Sequence, residues 1–190
     1  MDPLTLIKNN LEDSAKIKKA MVKLAPLILK IANEIVSALK KGGVVYILGN
    51  GGSASDSQHM AAELVGRFNK EKRPLAAISL ATNTSILTAI GNDYGYEYSF
   101  SKQIEAHAKK GDIVFAISTS GNAKNVLEAA LKAKKMKIKT VGLSGKGGGC
   151  LAKVCDISLV VPSNSTARIQ EAHITAIHIL CELIEEAFVK

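Results

Sequence analysis

The chain reads Val44-Val45-Tyr46-Ile47-Leu48-Gly49-Asn50-Gly51-Gly52-Ser53 within its first third. An apolar, β-branched-rich run followed by a glycine-rich turn and a helical pattern predicts a strand, a turn and a helix in that order. Glycines let the backbone approach a ligand closely, and the first amides of the helix point outward at the positive end of its dipole. The stretch therefore predicts an anion site, with phosphate as the anion it suits best.

The same pattern repeats along the chain. Five short apolar runs lie at residues 44–48, 75–80, 113–117, 140–143 and 157–161. Helical patterns separate them at residues 53–67, 85–91, 97–108, 122–135 and 147–154. Continuously apolar strands that alternate with helices indicate a parallel sheet covered on both faces. We therefore predict an α/β fold, a three-layer doubly wound sandwich with a central five-stranded parallel sheet and ligands at the carboxyl ends of the strands.

Helical patterns also occupy both ends of the chain. Residues 1–40 carry two apolar stripes, and Pro26 should break or restart the helix between them. Residues 166–188 form a long helical pattern that is apolar on more than one face, so we expect this helix to be buried against another subunit. No linker or repeat interrupts residues 1–190, which we interpret as a single domain.

The net charge of +8 comes from lysines spread over the helical segments, and aromatic residues make up only 4% of the chain. A base-stacking surface needs aromatics interleaved with the basic residues, so the pattern does not favour nucleic-acid binding. It is more typical of solvated helix faces with a weak attraction for anionic metabolites. No apolar run reaches ~18 residues and no leader-like stretch opens the sequence, so we expect no membrane association and a cytoplasmic location.

A second loop resembles an anion site. Ser118-Thr119-Ser120-Gly121-Asn122 also follows a predicted strand and opens a predicted helix. Three hydroxyls and free amides can surround a phosphate with donors. The alternative is a polar turn with a helix N-cap, since Ser, Thr and Asn favour such positions. Two loops of this kind in one sheet favour a ligand.

Four side chains are candidates for chemistry. His59 and Glu63 lie one turn apart on one helix face, and Glu63, in an otherwise apolar stretch, is the best candidate base; the alternative is an ordinary i,i+4 surface pair. His178 lies between two isoleucines, and a lone histidine in such an apolar stretch is more often a core residue than a ligand. Gln170 and His178 are eight residues or ~12 Å apart. One metal can bridge them only with both side chains extended, and a site completed by a neighbouring subunit is easier.

Together these segments resemble the phosphoheptose isomerase family of the sugar-isomerase (SIS) domain superfamily. The resemblance covers nearly the whole chain, with the motifs in the family's order. They are Gly49-Asn50-Gly51-Gly52-Ser53, the segment from Asp56 to Leu64, the segment from Ala89 to Gly95, Ser118-Thr119-Ser120-Gly121-Asn122, and Thr166-Ala167-Arg168-Ile169-Gln170-Glu171.

The resemblance implies the SIS fold and isomerisation of sedoheptulose 7-phosphate to D-glycero-D-manno-heptose 7-phosphate, the first step toward the heptoses of bacterial lipopolysaccharide and related glycans. It implies a cytoplasmic homotetramer with active sites between subunits, in which residues 1–40 serve oligomer packing. One Zn²⁺ per subunit would be held by His59, Glu63, Gln170 and His178. Glu63 and His178 would be the catalytic acid/base pair. The substrate would contact Asn50, Gly51, Gly52, Ser53, Glu63, Asn92, Asp93, Ser118, Thr119, Ser120 and Gln170, with the seryl loop on its phosphate and the Asn50–Gly52 turn on the sugar near its reacting end.

Three positions depart from the family pattern. Ala123 stands where many members have a phosphate-contacting serine, Ser165 where an acidic residue is expected, and Ser57 in place of a usual alanine. The alternative interpretation is a non-catalytic SIS protein of the replication-initiator-associating type, which is similar over most of this length. The full set of His59, Glu63, Gln170 and His178 favours the enzyme, because a scaffold has no need to keep these four together.

Overall fold

The computed structural model describes residues 1–189 and confirms the five-stranded parallel sheet. Its strands pair in the order β2-β1-β3-β4-β5. They are β1 (Val45–Gly49), β2 (Ala77–Ser79), β3 (Ile113–Ser118), β4 (Lys139–Ser144) and β5 (Ile157–Val160). The order reverses between β1 and β3, so the connections that leave these two strands diverge to opposite faces of the sheet. A crevice at such a point is where doubly wound folds bind their ligands.

The helices begin and end close to the predicted patterns. Their bounds are α1 (Pro3–Met21), α2 (Ala25–Lys40), α3 (Gly52–Val65), α4 (Thr84–Asp93), α5 (Ser101–His107), α6 (Lys124–Lys135), α7 (Leu151–Val154) and α8 (Thr166–Glu186). Short 3₁₀ turns cover Val22–Leu24, Tyr96–Tyr98 and Lys146–Gly148. The first of these turns confirms the expected restart at Pro26, which sits in the first turn of α2, where a missing N–H costs nothing.

Two hydrophobic layers sandwich the sheet. In β1, Val45 and Ile47 face one layer, and Tyr46 and Leu48 face the other. The first layer is built from α2, α3 and α8, and the second from α5, α6 and α7. Successive side chains of a strand point to opposite faces of the sheet. Since a hydrophobic layer covers each face, the residues of β1 are apolar on both faces, which explains the continuous apolar run. The turn after β1 leads into the first layer and the loop after β3 leads into the second.

The C-terminal helix α8 is covered by its own chain. It packs against α1, α2 and α3, and nine of its residues are buried. The chain itself therefore buries much of this helix, and burial of the helix against another subunit stays a prediction. Exposed apolar side chains lie on α1, where four are more than half exposed: Leu4, Leu6, Ile7 and Leu11. Among residues 1–189, no helix combines the length and the apolar character needed to cross a membrane.

His173 on α8 is fully buried, and its Nε2 lies 3.2 Å from the carbonyl oxygen of Ser144 at the end of β4. Burial lowers the pKa of the His173 imidazole from 6.5 to about 4, although the contact with Ser144 acts in the opposite direction. The neutral ring is therefore the form that the fold accepts. Below pH 6.5 the unfolded chain binds a proton at this position more readily than the folded chain does.

We expect the free energy of unfolding to fall as the pH drops from about 6.5 toward 4, with a loss of about 2 kcal/mol from His173 at pH 5. His173→Gln keeps a donor for Ser144 without a titrating ring, so its stability should depend less on pH across this window. Urea unfolding at several pH values measures the slope. The exposed His107, changed to Gln, is the matched control and should keep the wild-type slope. Equal slopes in wild type and His173→Gln would contradict the assignment.

Candidate active site

The turn after β1 brings α3 against α8. Gly51 has φ 54°, a conformation that favours glycine, and it caps the N-terminus of α3. A side chain at Gly52 would collide with the amide of Gln170, whose Nε2 lies 2.5 Å from the position of an added Cβ. The glycines of this turn therefore let the start of α3 approach Gln170 directly.

The seryl loop after β3 is held by its neighbours. The carbonyl oxygens of Thr119 and Gly121 accept hydrogen bonds from the N–H groups of Gly145 and Leu151. Gly121 has φ 66°, and a Cβ at this position would overlap the carbonyl oxygen of Gly148. The loop thus keeps its shape because a second glycine-rich segment, which contains Gly148, packs directly against it.

A cavity of about 110 Å³ opens between the turn after β1 and the seryl loop after β3. Its lining residues are Asn50, Ser53, Ile117, Ser118, Thr119, Ser120, Ala123 and Gln170. Hydroxyl and amide donors dominate the wall, as expected for a phosphate-sized anion site. Asn50 and the seryl loop thus line one cavity, and the part of the substrate that each would contact stays a prediction.

The structure shows which groups surround Ala123 and Ser57, two of the departures from the family pattern. Ala123 lines the cavity and offers no donor where a serine would supply one. Ser57 is fully buried, and its hydroxyl donates to the carbonyl oxygen of Ala54 and lies 2.7 Å from the hydroxyl of Ser79. Ser57 therefore ties α3 to β2 and has no part in the cavity.

A second group lies farther along α3, where His59 and Glu63 meet His178 of α8. His59 Nε2 lies 3.2 Å from Glu63 Oε1 and 3.1 Å from His178 Nε2. The side chain of His59 is 44% exposed and that of Glu63 is 23% exposed. The two imidazole rings are 5.0 Å apart between centroids, and Phe68 packs on the other side of His178 at 5.7 Å. His178 is thus partly exposed beside His59 and is not a core histidine, and its role in a site stays a prediction.

The remaining predicted site residues lie elsewhere. Gln170 lines the cavity, about 12 Å along α8 from His178. As placed in residues 1–189, no three His, Cys, Asp or Glu side chains form a group that could hold a metal ion. Asn92 and Asp93, expected in a turn, end helix α4 instead; they are exposed, and Asn92 donates a hydrogen bond to the Asp93 carboxylate. Their role in substrate binding stays a prediction.

The sequence interpretation missed two supports of the site. Glu185, buried on α8, accepts hydrogen bonds from the N–H groups of Phe68, Asn69 and Lys70 and so fixes the segment that places Phe68 on His178. Asn125, buried at the start of α6, exchanges two hydrogen bonds with Asn50. Each residue has another polar residue next to it in the sequence, Lys124 beside Asn125 and Glu186 beside Glu185, so no local pattern singled out either position.

Comparisons with known proteins show the family of the chain. A family model for the SIS domain matches residues 11–145. The phosphoheptose isomerase of Campylobacter concisus is 54% identical over 184 residues, which cover 97% of this chain and 97% of that protein.

Solved structures of two phosphoheptose isomerases are similar throughout. The one from Neisseria gonorrhoeae has a TM-score of 0.93 at 40% identity, covering 97% of this chain and 100% of its own. The one from Francisella tularensis has a TM-score of 0.95 at 37% identity, covering 98% and 100%. The chain belongs to the phosphoheptose isomerase family of SIS-domain proteins.

Proposed function

We propose that this chain isomerises sedoheptulose 7-phosphate to D-glycero-D-manno-heptose 7-phosphate through an enediol. One observation carries the proposal: a donor-lined cavity lies at the start of α3, and His59 and Glu63 follow along the same helix with His178 of α8 beside them. His59 follows Ser53 by six residues, so the two ends of the site are about 9 Å apart along α3. An extended seven-carbon sugar with a terminal phosphate spans such a distance.

In the proposed reaction, the Glu63 carboxylate removes a proton from C1 of the ketose. The C–H electrons form the C1=C2 bond of the enediol, and the carbonyl oxygen at C2 takes up a proton. The hydroxyl at C1 then loses its proton, a carbonyl forms at C1, and Glu63 returns a proton to C2. The side chain of Glu63 leans toward the N-terminus of α3, as helix side chains do, and so faces the cavity end of the helix.

His178 is the proposed carrier of the oxygen protons. Its Nε2 meets His59, which in turn contacts Glu63, so the three groups share one patch of the α3–α8 surface. Phe68 covers one side of the His178 ring and limits its motion. A general acid or base that is confined in this way is pre-oriented, which supports proton transfer at a fixed atom.

The same group is our proposed zinc site. The Nε2 atom of His59 carries one hydrogen or one lone pair, yet it lies within 3.2 Å of both a carboxylate oxygen and a second ring nitrogen. One hydrogen cannot satisfy both contacts, whereas a cation satisfies converging lone pairs. Ligands of tetrahedral zinc are about 3.3 Å apart, given bonds of about 2.0–2.1 Å. Within the part of the chain that the structure describes, these side chains do not form a metal-holding group, and Gln170 lies about 12 Å along α8 from His178. His59, Glu63 and His178 would therefore have to close around the ion, with Gln170 as the expected fourth ligand, and the ion would polarise substrate oxygens.

We also propose a homotetramer with active sites at subunit interfaces. The exposed leucine and isoleucine side chains of α1 offer an apolar face to a second copy. The cavity of about 110 Å³ is smaller than common ligand pockets of about 300–1,000 Å³, so further walls are needed to enclose a whole sugar phosphate. A cytoplasmic location and a role in supplying heptose for lipopolysaccharide remain part of the same proposal.

The decisive experiment is incubation of the purified chain with sedoheptulose 7-phosphate, with and without a chelator, and detection of the aldose by NMR. We expect product, its loss on chelation and its return when zinc is added back. Product that survives complete metal removal would contradict the zinc proposal alone. No product under any metal condition would overturn the isomerase assignment and favour the non-catalytic binding protein.

A further inference from the structure

Two asparagine side chains, 75 residues apart in sequence, form a reciprocal pair beside the cavity. Asn50 Nδ2 donates to Asn125 Oδ1 at 2.7 Å, and Asn125 Nδ2 donates back to Asn50 Oδ1 at 2.9 Å. Asn125 is only 3% exposed, whereas Asn50 lines the cavity. The buried member of the pair therefore controls the orientation of the member that meets the ligand.

The polarity of this pair is set by the backbone. The N–H group of Val126 can only donate, and it points at Asn125 Oδ1 at 3.0 Å. The other end of the Asn125 amide must then be the NH₂ group, which also donates to the hydroxyl of Ser99 at 3.3 Å. All four hydrogen-bonding positions of Asn125 are thus occupied, and its NH₂ group can meet only an acceptor on Asn50.

The hydrogen-bonding capacity of Asn50 is nearly exhausted as a result. Its Oδ1 accepts from Asn125 and from the hydroxyl of Tyr96 at 3.1 Å, which uses both lone pairs. Its Nδ2 uses one of two hydrogens on Asn125. One N–H donor is left, and Asn50 lies on the cavity wall together with the hydroxyl groups of Ser118, Thr119 and Ser120.

We propose that Asn125 and Tyr96 are positioning residues that make Asn50 a donor-only group of the phosphate cavity. Asn50 then recognises an anionic oxygen and rejects a ligand atom that must itself donate a hydrogen bond. The identity of the sugar phosphate rests on the proposed function, whereas the donor-only character of Asn50 does not. Inorganic phosphate is therefore a suitable probe.

The sharpest test is Asn125→Asp, which preserves the shape of the side chain. A carboxylate accepts at both oxygens, so one of them opposes Asn50 Oδ1 whichever way the Asn50 amide is turned, and the reciprocal pair breaks. Asn50 then no longer holds its free N–H toward the cavity, and phosphate loses a donor. We expect the dissociation constant for inorganic phosphate, measured by calorimetry, to rise at least about tenfold, a typical cost of one hydrogen bond to a charged group. Asn125→Leu, which removes the pair without placing an oxygen opposite Asn50 Oδ1, should weaken binding less.

Two further variants separate positioning from simple structural damage. In an Asn50→Ala background, Asn125→Asp should have no further effect on phosphate binding, because it acts through Asn50. Tyr96→Phe removes one donor to Asn50 from an exposed residue and should weaken phosphate binding about two- to threefold even if Asn125→Asp fails to fold. Tyr94→Phe, a similarly exposed tyrosine, is the matched control and should bind as the wild type does.

Phosphate binding by Asn125→Asp within twofold of the wild type would overturn the inference, as would a further loss in the Asn50→Ala background. If Asn125→Asp does not fold, wild-type binding by Tyr96→Phe overturns it instead. Because calorimetry with phosphate needs no turnover, the inference can fail while the isomerase assay succeeds, or survive if that assay fails. With active enzyme, the variants should raise KM for the sugar phosphate more than they lower kcat.

Discussion

Glu63→Gln should lower turnover of sedoheptulose 7-phosphate by about 10²- to 10⁴-fold, which is the usual contribution of a positioned general base. The amide keeps the size of the carboxylate but cannot accept the proton from C1. Binding should survive, because Ser53, the α3 residue that lines the cavity, lies about 15 Å from Glu63 along the helix and the cavity does not include Glu63. The aldose signal in NMR reports turnover, and exchange of the C1 proton in D₂O reports the proton abstraction itself.

Glu182→Gln is the matched control for this change. It removes one carboxylate from α8, one turn after His178, at an exposed position. The expected turnover is that of the wild type. Measuring the metal content of Glu63→Gln separates loss of the base from loss of zinc: an enzyme with full metal occupancy and no C1 exchange has lost the base. If the turnover of Glu63→Gln is close to that of the wild type, Glu63 is not the base of the reaction.

Gly121→Ala should damage both the fold and phosphate binding. An alanine at φ 66° is strained by about 1–2 kcal/mol, and its Cβ overlaps the carbonyl oxygen of Gly148, which adds about 1–3 kcal/mol of overpacking. The seryl loop must move away from its neighbour, so KM for the sugar phosphate should rise together with the loss of stability. Urea unfolding and steady-state kinetics measure the two effects.

Gly147→Ala is the control that isolates the collision from the backbone strain. Gly147 has φ 75° and open space around an added Cβ, so only the strain of about 1–2 kcal/mol applies. The difference between the two variants is the cost of the contact with Gly148. If Gly121→Ala is no less stable than Gly147→Ala and binds phosphate normally, the packing of the two glycine-rich segments does not hold the loop in shape.

Local patterns predicted the elements of this protein well. The strands were predicted because each is a short apolar run, and α3 because its start follows a glycine turn. What they left open concerns surroundings rather than elements. The C-terminal helix is apolar on more than one face, which predicted burial against another subunit. The structure packs it against α1, α2 and α3 of the same chain, and a contact with a second subunit stays a prediction. An apolar helix face indicates that the face is buried, but it does not indicate which element or subunit covers it.

The candidate site, too, could be predicted only where its residues lie within one local element. The two loops, and Glu63 with His59, could be found by reading along the chain because each lies within a single turn or helix. The sequence did not show that Asn50 and the seryl loop line one cavity, and the part of the substrate that each contacts stays a prediction. Parallel strands β1 and β3 are neighbours, so their carboxyl ends share one cavity. Strand order is a property of the whole sheet, and no local run encodes it.

From its residues alone, this chain revealed its α/β class, its two donor-rich loops and the family whose motifs it carries, because each depends on neighbours within one element. The meeting of His178 with His59 across 119 residues, and of Asn125 with Asn50 across 75, came from the tertiary structure. Such contacts depend on which strands pair and which helix faces pack together, and these are settled only when the whole core is assembled.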